Sequence, residues 1–231
     1  MSRASDQSAR RSARRAAHRA ALSGSGPTSD ESAAVARFPG ARSAFGLLGE
    51  VLLVGILVSL VSLPVITLPA ALAAGVRHLR RYLRAEDSAL GWFWRDVKAS
   101  LVGGIGVGAA SAMLAAVLAL DIDLASTGVL PGGPVVALVG WAGLGALVLV
   151  LFTAAGRWTP RLGWFGAMRG APRAIRDDPV GAAYLLATGV FAVVVTWQLA
   201  PLVVPALGCV ALAIVAAPER PRRGREGDGS G

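Results

Sequence analysis

Cysteine is almost absent from this chain. Cys209 is its sole representative, so no intramolecular disulfide or dithiol redox pair can form, and its place in an apolar run predicts a small packing residue. Histidine occurs twice, at His18 and His78, with no Cys, Asp or Glu at ligand spacing around either, which argues against a metal centre. Lysine occurs once, at Lys98, beside 22 arginines in an Ala, Gly and Val-rich background, a balance that points to a GC-rich bacterial genome and carries no function. Charged residues make up only 16% of the chain against 54% hydrophobic residues, more apolar than a soluble domain usually is. The apolar runs hold no Ser beside a His or Lys, no paired carboxylates and no metal cluster, so neither an enzyme nor a cofactor is expected.

What charge there is sits in two tails and two internal clusters. Between them lie apolar stretches able to cross a bilayer core of about 30 Å, which takes about 20 helical residues. The net charge of +9 flanks these stretches, with no aromatic-interleaved basic face, so lipid is the expected partner and nucleic acid is not. The division expected is a disordered basic cytoplasmic tail over 1–42, a helical membrane domain over 43–218 and a disordered basic tail over 219–231. Arginines between Arg10 and Arg19 could line one side of a transient lipid-binding helix, but a solvated tail that helps fix topology is the simpler reading. No apolar region follows the paired arginines until Phe45, so a removable signal peptide is not expected.

The pivotal stretch is Ser59 to Arg84, SLVSLPVITLPAALAAGVRHLRRYLR. Pro64 and Pro69 lack amide donors and disfavour helix at the residues before them, so the helix begun at Phe45 should break there. Thr67 is the natural cap for a restart, and Arg77, Arg80, Arg81 and Arg84 then fall at i, i+3, i+4 and i+7, one stripe suited to anionic headgroups. Glu50 lies just inside the first helix. It can reach the interface, or point inward to Arg77 or His78.

The order SLPVITLPAALAA, RHLRRYLRAED, FWRDVKASL resembles the YesL-like family of small bacterial integral membrane proteins, on Pro64, Thr67, Pro69, Phe93 and Trp94. The resemblance covers about Phe45 to Leu101 well and continues loosely through Ala217; the arginine-rich N-terminal tail departs from it. It implies an accessory role near sugar uptake and polysaccharide degradation, with a sugar-transport complex as partner.

Further along, Glu86 to Ser100 mixes Trp92, Phe93, Trp94, Arg95, Asp96 and Lys98 as a short amphipathic helix at headgroup level would. Leu101 to Leu120 should span, with Gly104 and Gly108 as a close helix-packing face extended by Ser111 and Ala112; the run GIGVG lacks the third glycine and the βαβ setting of a nucleotide loop. Asp121 and Asp123 should end that span, facing solvent. Pro134 to Ala155 spans again, ending in a collar of Arg157, Trp158, Arg161, Trp164, Arg169, Arg173 and Arg176. From Pro179 to Pro218 there is no charged residue over 40 positions, room for two spans broken near Gln198, Pro201 and Pro205.

The fold class expected is therefore all-α: a polytopic transmembrane bundle of about five to six apolar helices, including a proline-broken N-terminal hairpin. A single crossing by the first segment, with the tail outside, is the rival arrangement. Arginine-rich segments stay cytoplasmic, which places the C terminus inside a bacterial cytoplasmic membrane and the turn before Pro134 outside. For function, an accessory membrane protein stands against a small-solute transporter, whose inward polar groups would have to come from Glu50, Thr67, Ser111, Thr153, Thr188, Thr196 and Gln198. A reporter active only in the cytoplasm should work when fused after Gly231 and be silent when fused at Gly132; the reverse pattern would overturn the topology.

Overall fold

The computed structural model describes residues 44–86, 89–127 and 132–219. Both tails expected to be disordered, and part of the turn before Pro134, lie outside the described residues, apart from Glu219. The described chain is all-helical, with seven α-helices: α1 Ala44–Val61, α2 Leu68–Leu83, α3 Leu90–Ser126, α4 Gly133–Arg157, α5 Gly163–Asp177, α6 Pro179–Gln198 and α7 Val203–Ala216. Four stretches are long and apolar enough to cross a membrane: Leu90–Ser126, Gly133–Arg157, Pro179–Gln198 and Ala200–Glu219, the last including the turns around α7. The expected five to six would need α1 and α2 as well. At 18 and 16 residues these reach about 27 and 24 Å, short of a bilayer core unless it thins.

The chain breaks between α1 and α2, as the two prolines require. Pro64 is extended at φ −75°, ψ 109°, Val65–Thr67 make one 3-10 turn, and Pro69 sits in the first turn of α2, where a missing amide costs nothing. Helix α2 doubles back on α1 and lies at the centre, packed by α1, α3, α4 and α7. Every residue from Pro69 to Val76 is buried, and the small side chains of that stretch allow the approach. A methyl added at Gly75, for instance, would press into Val54 and Val58.

Helix α3 is two helices joined at a kink. Val102 is extended at ψ 111° and Gly103 turns left-handed at φ 82°, a conformation that costs glycine little and other residues much. The arm before the break lies along α2 through Phe93, Val97 and Ser100, and the arm after it pairs with α4 through Leu118, Ile122 and Ala125. The span expected to close at Asp121 runs on to Ser126, with both aspartates exposed.

Lipid gives helices no hydrophobic incentive to associate, so close approach through small residues must supply the adhesion. Gly108 packs on the Ile66 carbonyl so tightly that a methyl there would overlap it, and Gly104 lies under the Trp164 ring and Ala70. A second close seam joins α1 to α7: Gly55 meets the Val204 carbonyl and Gly208 meets that of Val51. Cys209, beside this seam, is exposed and does not pack inward. Gly108→Ala should lower stability in detergent by about 1–3 kcal/mol, the cost of overpacking. Gly106→Ala, on the same helix with nothing within 4 Å, should be neutral or slightly stabilising in the same thermal unfolding assay.

Candidate functional site

The arginine stripe of α2 splits on folding into three environments. Arg77 and Arg81 turn inward onto one carboxylate, Asp96 of α3: Arg77 Nε donates at 3.1 Å and Arg81 Nη2 at 2.5 Å, with Asp96 only 4% exposed. Both guanidiniums also lie over indoles, Arg77 over Trp158 at 5.8 Å and Arg81 over Trp92 at 5.6 Å. Arg84, past the end of the helix, is exposed. Arg80 is half-buried and faces a cavity. A single headgroup-facing stripe therefore does not form: the inner pair shares the one carboxylate of Asp96, and of the four only Arg84 is exposed.

Phe93 and Asp96 also depart from the expected headgroup-level helix. Three residues apart, they share one face and turn it into the bundle, whereas Trp94 is 42% exposed. The rim aromatics of the second basic cluster are likewise interior, Trp158 and Trp164 packing ring to ring at 6.2 Å. Their burial has a backbone cause. The break at Val102–Gly103 leaves the Ser100 carbonyl without its helical donor, and Trp164 Nε1 donates to it at 2.7 Å. Ser100 Oγ in turn donates to the Ala70 carbonyl at 3.1 Å, tying α3 to α2.

Thr67 plays a similar part at the other break. It occupies the N-cap position of α2 but makes no capping bond to an amide; its hydroxyl turns back to the carbonyls of Val61 and Pro64. The expected cap is thus a satisfier of acceptors freed by the prolines, which suits a backbone break away from water.

Glu50 points inward, and of its two expected partners it meets His78: Oε1 lies 2.7 Å from Nε2, while Arg77 is held by Asp96. His78 is fully buried, its ring edge-on to Phe93 at 6.2 Å. Its Nδ1, with Arg81 Nη1 and Ser59 Oγ, has no hydrogen-bond partner among the described residues.

The remaining feature is a cavity of about 240 Å³ between α2, α4, α5, α6 and α7. Arg80, Arg157 and Thr153 line it with Phe152, Leu185 and Ile214. Burial is the largest influence pulling the Arg80 guanidinium below its ordinary pKa; Arg84 and Arg77 add to it and Glu219 opposes it. Chemically the site offers one three-membered charge cluster, one acid–histidine pair, and one cavity with two arginines and two aspartates on its walls. Sequence reasoning missed the cavity because its walls come from five helices.

The fold and this cluster have the build of a polytopic helical membrane protein with a charged end. No family model matches the chain, and no curated protein or solved structure matches it either. Asp96→Asn should cost about 3–5 kcal/mol in chemical or thermal unfolding, because two guanidiniums would keep their burial and lose their anion. Replacing Arg77, Arg81 and Asp96 together by apolar residues of similar size should cost less than that single change.

Proposed function

We propose that this chain is a multi-pass protein of a bacterial cytoplasmic membrane, C terminus inside, acting as an accessory or regulatory component of carbohydrate uptake, as its resemblance to YesL-like proteins implies. The observation that carries the reading is the pairing of the interior charges. Asp96 is saturated by two arginines and Glu50 is engaged by His78, so these groups serve to hold helices together. Of the polar residues a transport route would need, Thr67 bonds the adjoining turn, Thr188 bonds the Tyr184 carbonyl of its own helix, and Gln198 is exposed. The motif residues Pro64, Thr67 and Pro69 build the bend, and Phe93 anchors the following arm beneath it.

In this reading α1 and α2 form a hairpin that starts and returns on the cytoplasmic side, giving five to six apolar helices in all. Its support is the common location of Arg77 to Arg84 and of Arg157 near the start of α6, an assembly of basic segments at one end. A sugar-transport complex is the partner.

A small-solute transporter is the second reading, favoured by the Glu50–His78 pair with an unpartnered nitrogen inside the bundle. Two measurements separate them. Deleting the gene should slow uptake of a labelled oligosaccharide by its host, while proteoliposomes holding the purified protein alone should accumulate none. Accumulation by the protein alone would replace the accessory reading with the transporter.

A further inference from the structure

Arg80 stands apart from its neighbours on α2. Arg77 and Arg81 share Asp96, Arg84 is exposed, and Arg80 has neither an ion pair nor a hydrogen bond among the described residues. Burial opposes the charge of this half-buried guanidinium, and Glu219 offsets that cost only at a distance, without a direct ion pair. Its side chain ends in the cavity described above, so whatever satisfies it must enter there.

The walls define what that could be. Arg157, exposed at the end of α4 with its guanidinium lying beside Gly170 of α5, is the second arginine at this wall, and Thr153 one turn earlier supplies a hydroxyl donor. Gly156 lets α7 approach α4 closely at this wall: a methyl there would press into Ile214, and Arg80 Nη2 lies 3.8 Å from the same position. The start of α6 also faces in, through Gly181 and Ala182. Three carboxylates moderate the positive charge: Asp178 accepts from the Gly181 amide at 2.8 Å, capping α6, Asp177 is exposed, and Glu219 acts on Arg80 from the end of the described chain. With no positive excess around the two arginines, a doubly charged anion is disfavoured and a singly charged one is the better match. Phe152, Leu185 and Ile214 add an apolar side suited to glycerol or acyl carbons.

We propose that this cavity binds the phosphate of a singly charged phosphodiester, Arg80 and Arg157 taking its two non-bridging oxygens. Guanidinium–phosphate pairs are geometrically matched, charge-assisted bonds, and they strengthen where water is excluded. The phosphodiester can arrive as an anionic lipid headgroup, entering sideways from the bilayer, or as a water-soluble glycerol phosphodiester.

The test is thermal unfolding of the full chain in a neutral detergent, titrated separately with dioleoyl phosphatidylglycerol, with its acyl-free headgroup glycerophosphoglycerol, and with dioleoylglycerol, which has no phosphate. Phosphatidylglycerol should raise the unfolding temperature of the parent, and Arg80→Gln should need about tenfold more lipid for half the shift. Arg84→Gln, exposed on the same helix, should titrate like the parent. Stabilisation by lipid alone assigns a headgroup site; equal stabilisation by glycerophosphoglycerol assigns a soluble ligand. Should Arg80→Gln not fold, Arg157→Gln is read in its place and must also weaken the response. The proposal is overturned if the parent responds to neither phosphodiester, if dioleoylglycerol stabilises as well as phosphatidylglycerol, if the Arg80→Gln midpoint (or that of its Arg157→Gln replacement) is unchanged, or if Arg84→Gln loses as much as Arg80→Gln. The inference goes beyond the accessory role, and the assay contains no carbohydrate, so either can fail alone.

Discussion

A guanidinium brought into an apolar helix bundle needs an anion, and the basic end of this protein is arranged around that need. Asp96 meets it twice over. Because Asp96 and Phe93 occupy one face of the first arm of α3, the same contact that neutralises Arg77 and Arg81 also seats Phe93 against Leu57 and Ala74. Charge pairing and packing are therefore one event, and neither arginine could remain inside if that arm swung away. The arm is held at its far end by Ser100 and Trp164, so the position of Asp96 is set from both sides.

A second constraint runs through the chain. Wherever the backbone leaves the helix away from water, its carbonyls must find donors, and two different side chains answer. Thr67 serves its own turn, a local solution, whereas Trp164 reaches Ser100 across 64 positions of sequence. The local solution leaves the bend self-contained; the distant one makes the break in α3 depend on α5 being in place. In this way an irregular segment adds a tertiary contact that a straight helix would not have needed.

These differences explain what could be read in advance. Proline announces a break by its covalent structure, so the bend between α1 and α2 was visible in Pro64 and Pro69. The break at Val102–Gly103 was not, because the glycines around it fit close packing equally well and only the backbone angle separates the two uses. The inward turn of Glu50 was one of two open choices, settled by a histidine 28 positions away on the returning arm. Asp96 was misplaced because alternating aromatic and charged residues describe an interfacial helix and an interior one alike; which face turns inward depends on where α2 lies. The Gly55–Gly208 seam had a faint trace in Gly55 and Ser59, small residues four apart, and was passed over because each glycine stands alone in a branched apolar run.

The seam between α1 and α7 bears on how such a chain is made. About 140 residues separate the end of α1 from the start of α7, on the order of 7–30 s of translation at ordinary speeds. Through that interval the ribosome has delivered one half of the fit and not the other. The carbonyl of Val51 and the groove at Gly55 wait for α7, so this seam closes only when two helices distant in sequence meet. A chain halted before Val203 would present this flank of α1 uncovered to lipid and to the quality-control proteases that survey it.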